Sequence, residues 1–282
     1  MTSYYKEQLL PIALTILTFI ILCVMLYFSI LGLNLLPSQE KIQLVIHPQD
    51  ILVGLTIYLK TSIDFAIFIG NLMLSNPGWR KRVAIEIGTA GGNALGTIVI
   101  LIVWNFFREV PILMAIMIFI ASLVLLKMAE ESLAELNHEP KSIPRLLQTQ
   151  LNTLQKLLQI PNRTFSPLLK LISPNASLTK MKSLPWVKLL IFSASIPFIL
   201  GLDDFAGYIP LFNIINVFGF AIGVFLGHMI LNVALFISPQ TTVKYVKNAW
   251  VLVIGGLAFI AIAAWGFYEV FHITLELSLI HI

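Results

Sequence analysis

The sequence predicts an all-α polytopic membrane protein with about seven transmembrane helices, and three observations carry that expectation. First, 58% of the 282 residues are hydrophobic and only 11% charged, with a mean hydropathy of +0.90, against roughly 25% charged in soluble domains. Second, the apolar residues gather in runs of about 20 or more, the length that crosses a bilayer as a helix. Third, the basic residues sit almost wholly in alternate loops, as the positive-inside rule requires. The net charge of +4 therefore speaks to topology and lipid headgroups, and no nucleic-acid partner is expected. Cys23 stands alone, so an intrachain disulfide is excluded and packing is its expected role.

The segments follow in order. Residues 9–36 form an apolar run too long for a cleavable signal core and read as a retained signal anchor. Residues 51–74 form the second span, with Lys60, Thr61 and Asp64 inside it. The loop NPGWRKR brings Arg80, Lys81 and Arg82 and marks the cytoplasmic side. Residues 83–107 and 111–127 are the third and fourth spans, the third with Glu86 near its start and Gly88, Gly92 and Gly96 along it. From Met128 to Leu184 the composition turns polar, and leucines at 146, 147, 151, 154, 157 and 158 give residues 143–160 one apolar helical face. That pattern reads as an interfacial helix on the inner leaflet, or alternatively as a partner-docking element or a lid. Spans at 184–212, 216–237 and 249–271 complete the chain. Its expected organisation is an anchor and outer loop (1–50), a first three-helix repeat (51–127), a cytoplasmic linker (128–183) and a second repeat (184–282). Basic residues then fall inside, with Lys41 and Arg108 opposite, for a cytoplasmic N-terminus in a cell membrane.

The most informative stretch is GLDDFAGYIPLF at 201–212, where Asp203 and Asp204 interrupt an apolar run between Gly201, Gly207 and Pro210. A charge at mid-bilayer costs on the order of 2.5–3.5 kcal/mol even on lenient scales, so such a residue faces protein or water. Glycine and proline beside it weaken the helix and free backbone carbonyls. IDFAIFIG from Ile63 matches DDFAGYIP from Asp203, pairing Asp64 with Asp204, and Gly88, Gly92 and Gly96 recur as Gly219, Gly223 and Gly227. Because the two halves enter the membrane from opposite sides, they form an expected inverted repeat, an architecture whose substrate sites lie near the midplane.

At these residues the chain resembles the cadmium resistance transporter family of the lysine exporter superfamily, over about residues 51–271. The first half resembles that family's Thr-x-x-Asp, here Thr61 to Asp64, before a basic loop and a glycine-bearing helix. The second resembles Gly-x-Asp-Asn with Pro-x-Phe beyond, here Gly201, Asp203, Asp204, Pro210 and Phe212. Asp204 stands where the pattern has asparagine, and Lys60 where it has a small residue. The resemblance implies export of a cation or small charged solute, in a bacterial inner membrane.

Asp64, Asp203 and Asp204, with Thr61 and Asn71, are the candidate cation or proton site; oxygen donors suit Mn, Ca, Mg or a proton, and cadmium less well. The alternative for Asp64 is a helical pair with Lys60 at i, i+4, and Lys60 is either a displaceable counter-ion or a snorkelling lysine. Glu86 reads as a surface ion pair with the Arg80 cluster or as a gating acid. His228 reads as a metal ligand or proton relay, or as a histidine bonded to a neighbouring helix. No nucleotide-binding, hydrolase or Cys-x-x-Cys pattern occurs, so an enzyme and a bound cofactor are not expected. The expected reading is a secondary transporter exporting a divalent cation against protons. A small-solute or amino acid exporter and a non-transporting scaffold are the alternatives, and a homodimer is an allowed assembly.

Overall fold

The structure is a computed structural model that describes residues 2–37, 40–136, 143–167, 169, 184–200, 208–212, 215–246 and 248–280. These residues form helices α1 (Thr2–Leu35), α2 (Pro48–Thr61), α3 (Ile63–Ser75), α4 (Trp79–Phe107), α5 (Pro111–Glu135), α6 (Arg145–Thr164), α7 (Trp186–Leu200), α8 (Val217–Ile237), α9 (Pro239–Val246) and α10 (Ala249–Ile280), with one 3-10 turn at Ile209–Leu211. No strand occurs among them. Five helices are long and apolar enough to cross a membrane, and six spans result if α2 and α3 count as one. The protein is thus a multi-pass membrane protein by helix length and composition.

Two compact units divide the chain: Met1–Ile102, Ala176–Leu202 and Ile215–Tyr245 form the first, and Val103–Asn175, Asp203–Ile214 and Val246–Ile282 the second.

In the first unit the helix ends follow from local chemistry. Pro48 opens α2, where a missing N–H costs nothing. Asn216 caps α8 by accepting from the Phe218 and Gly219 amides at 3.0 and 3.1 Å, and its amide donates to the Gln43 carbonyl at 3.0 Å. Lys41 donates to the Asn34 and Leu36 carbonyls, placing a cation on the negative end of α1. Gly78 takes φ +101° in the turn before α4, a conformation that glycine adopts without strain. At the same end Asn76 accepts from the Leu184 amide at 3.2 Å, Trp186 donates to the Arg80 carbonyl at 2.9 Å, and Arg82 donates to the Phe236 carbonyl at 3.1 Å.

Close approach of backbones holds this unit together. A methyl at Gly54 would sit 2.1 Å from the Phe220 carbonyl oxygen, and one at Gly223 2.2 Å from that of Ile51, so α2 and α8 touch along their backbones. On the other pair, a methyl at Gly88 would lie 2.5 Å from the Leu190 carbonyl oxygen and one at Gly92 2.2 Å from that of Ala194. In lipid, where burying apolar surface gives little advantage, such small-residue contacts are what drive helices together.

Residues 51–74 do not form one helix. α2 and α3 meet at Ser62 with a bend of 64°. The local cause is a run of polar residues: the Thr61 hydroxyl and the Ser62 amide both donate to the Tyr58 carbonyl, at 3.2 and 3.0 Å, a competition that favours irregular backbone. Each piece is roughly 20 Å long by the rise of a helix, too short alone for a hydrocarbon core of about 30 Å.

In the second unit α5 and α10 run antiparallel: Gly256 faces Leu133 and Ala129, while Gly266 faces Ser122 and Ile118. α5 continues past the expected end at Lys127 to Glu135, and Asn162 of α6 donates to the Glu130 carboxylate there. α10 likewise runs past Phe271 to Ile280. The expected amphipathic helix is α6; Leu151 and Leu158 are buried, whereas Leu157 and Ile160 are exposed. Phe119 stacks edge-on with Phe165 and Phe267, with centroids 5.8 and 5.7 Å apart. The turn at Ile209–Leu211, with Pro210 buried in it, ends at Phe212, whose ring meets Trp104 at 5.4 Å.

Candidate functional site

The bend between α2 and α3 is the one irregular place inside a described span, and the sequence's polar residues gather there. Lys60 and Thr61 close α2, and both are buried, as is Ser62. Asp64 lies in the first turn of α3; its side chain is outside the described residues. So are Asp203 and Asp204, together with Gly201 and Gly207. The three-carboxylate cluster therefore falls outside the described residues, among which no group of three or more His, Cys, Asp or Glu side chains is placed to hold a metal.

Asn71 is exposed on α3, and its carbonyl accepts from the Ser75 hydroxyl, so the fold does not carry it to the bend. Pro210 is buried in its 3-10 turn in the second unit.

His228 is fully buried on α8, beside the bend. Its Nδ1 lies 2.5 Å from the Tyr58 hydroxyl and its Nε2 3.1 Å from the Asn232 amide nitrogen. With that amide donating to Nε2, the hydrogen resides on Nδ1 and the Tyr58 oxygen accepts it. The rings of Tyr58 and Phe65, one from each side of the bend, sit 5.6 and 5.4 Å from the imidazole. Of the readings the sequence left open, bonding to a neighbouring helix is the one observed: both ring nitrogens are engaged in hydrogen bonds. Tyr58 is the residue that sequence reasoning missed. Its only signal was its place at the end of an apolar run just before Lys60.

Glu86 is a correction to the expected surface ion pair. The residue is fully buried, and neither carboxylate oxygen has a hydrogen bond of good geometry. Thr15 of α1 approaches it. Arg82, one turn earlier, does not pair with it and instead donates to the Phe236 carbonyl at the end of α8. Val83, Ala84, Ile85 and Glu86, which between them point most of the way round α4, are all buried, so the helix is enclosed at this level. Further along the same helix face, Thr89, Asn93 and Thr97 are also buried. Thr89 and Thr97 donate to the carbonyls of Glu86 and Asn93.

Comparisons of the chain with protein-family models, with curated proteins and with solved structures found no match.

Proposed function

We propose that this chain is a secondary transporter built as an inverted repeat, with Asp64, Asp203 and Asp204 as its substrate carboxylates. The observation that carries the reading is reciprocal packing. The sequence repeat that pairs Asp64 with Asp204 also pairs Gly54 with Ala194 and Asp50 with Leu190, while Gly88 and Gly92 pair with Gly219 and Gly223. Gly54 meets the glycine stripe of α8, and Ala194 meets that of α4; Asp50 faces Gly219, and Leu190 faces Gly88. Each half's glycine helix packs on the other half's first helix in the same register. The equivalent pair α5/α10 is antiparallel, as a twofold axis in the membrane plane requires.

Both glycine-lined pairs run parallel, and this supports the seven-span count. α7 starts beside the start of α4, whereas α8 ends beside it, at Phe236. The chain from Leu184 to Asn216 therefore has a membrane thickness to cover, which fits the fifth span. The basic end of this unit holds Arg80, Arg82, Lys188 and Lys244, which favours a cytoplasmic location for it and for the N-terminus.

A bend halfway along a span, bearing buried polar groups, is the arrangement at which transporters bind substrate. Asp64, Asp203 and Asp204 are the carboxylates for a cation, with Thr61 and backbone carbonyls adding oxygens. A bound cation favours the ionised carboxylates and desolvation favours the protonated ones, so exchange of a cation for protons is the expected cycle, in the direction of export. The burial of Lys60 at the bend favours a second reading: a fixed positive charge suits a small solute that carries its own carboxylate, such as an amino acid.

The test is flux in proteoliposomes loaded with a proton-sensitive dye. With external Mn2+, a saturable Mn2+ influx with opposed proton movement is expected, reduced at least about tenfold in Asp64→Asn and in Asp203→Asn. Absence of Mn2+ flux together with amino acid counterflow would select the second reading. Absence of both, in folded protein, would overturn transport.

A further inference from the structure

The charge relations at the basic end of the first unit concern a group that the substrate reading does not use. Glu86 is fully buried with both oxygens lacking a good hydrogen bond, although the guanidinium of Arg82 is one helical turn away on the same side of α4. That spacing is the one at which acid and base pair on a helix. Arg82 nonetheless reaches across to the last turn of α8, and its Nε is itself buried without a partner. A charged carboxylate enclosed at 0% exposure without a counter-ion is strongly disfavoured in a low-dielectric interior. The arrangement is satisfied if Glu86 carries a proton.

We infer that Glu86 is a proton-binding site whose occupancy decides where Arg82 bonds. With the proton bound, Glu86 is the neutral acid and Arg82 caps α8 through the Phe236 carbonyl. When the O–H proton passes to water at the basic end, the carboxylate left behind draws Arg82 back into an ion pair. The cap on α8 is then lost.

Among the cations at this end, Arg82 is the one at the i, i+4 helix spacing from Glu86. On α4 the charged neighbours are Arg80, Lys81 and Arg82; α1 offers Thr15; α7 carries Lys188 and α9 Lys244, both exposed; α8 contributes the Phe236 carbonyl that Arg82 reaches. α8 is also the helix that packs along α2 and holds His228 against the bend. A proton at Glu86 thereby acts on the helix that braces the proposed site. The site itself stands on its own packing; its use in coupling rests on the transport reading.

The experiment needs no cargo. The probes are infrared spectroscopy of the carboxyl C=O stretch and spin labels at Ile87→Cys and Ile237→Cys in a Cys23→Ala background, on the full chain in lipid nanodiscs across a pH series. A protonated-carboxyl band present in the wild type and absent in Glu86→Gln is expected. As pH rises and the band fades, the label distance should shift by several ångströms, and this shift should vanish in Glu86→Gln and in Arg82→Met. No Glu86-dependent band, or a band that titrates with the distance unchanged, would overturn the inference. Should Glu86→Gln fail to fold, Glu86→Asp must move the band, and an unmoved band would equally overturn it. Failure of Mn2+ or amino acid flux would leave these readouts untouched.

Discussion

His228 and Glu86 are both fully buried in the first unit, within about half a span of its helix ends, yet their surroundings are opposite. The histidine has a partner on each nitrogen, drawn from its own helix and from α2. The glutamate has a good hydrogen bond on neither oxygen, although a cation stands one turn away. A titratable residue in an apolar run therefore does not declare its role by type or by depth. What separates a structural polar group from a working one is whether the fold satisfies it, since an unsatisfied buried group costs about 1–3 kcal/mol and more when charged.

That contrast depends on the backbone contacts that bring the groups together, so the largest effects are expected there. Gly92→Leu should abolish recovery of folded, monodisperse protein, because even a methyl would lie 2.2 Å from the Ala194 carbonyl oxygen. Its neighbour Gly91 has nothing within 4 Å of a built methyl. Gly91→Ala should accordingly stabilise the helix by up to about 1 kcal/mol, read as a higher melting temperature in detergent. If the two variants behave alike, the proposed close packing of α4 on α7 is wrong.

Next in size is Tyr58→Phe, which takes away the hydrogen-bond partner of His228 Nδ1. A loss of about 1–3 kcal/mol is expected from the orphaned imidazole N–H, measured by thermal or denaturant unfolding in micelles. Added Zn2+ should leave the wild-type melting temperature unchanged if His228 is structural as described. A stabilisation lost in His228→Ala would instead make it a ligand.

The smallest effect is expected from Glu86→Gln at neutral pH. Replacing a neutral acid by an amide of the same shape should change stability by less than about 0.5 kcal/mol. A loss as large as that of Tyr58→Phe would show that Glu86 is a bonded structural group, and the contrast with His228 would collapse.

Much of this organisation was legible in the sequence. Most of the apolar runs fell on helices, α6 appeared where the leucine spacing put it, and the glycine triads fell on α4 and α8, whose glycines meet the backbones of α7 and α2. The bend at Ser62 was not legible, because residues 51–74 contain no proline and their glycines, at 54 and 70, lie away from the break. Three consecutive polar residues, Lys60, Thr61 and Ser62, were the available signal, and they read equally well as one face of a continuous span. Glu86 was misjudged for a related reason: sequence gives the distance to Arg80–Arg82 along the chain but not the direction in which a guanidinium turns.

The sequence by itself determined the class of molecule, its helical segments and the side on which its charges gather, because lipid allows only structures that satisfy their own backbone and penalises charge by depth. Tertiary structure decided which helices touch and which polar groups are paired. Those outcomes rest on contacts between residues more than a hundred positions apart, such as Tyr58 with His228 and Arg82 with Phe236, and no local pattern encodes them.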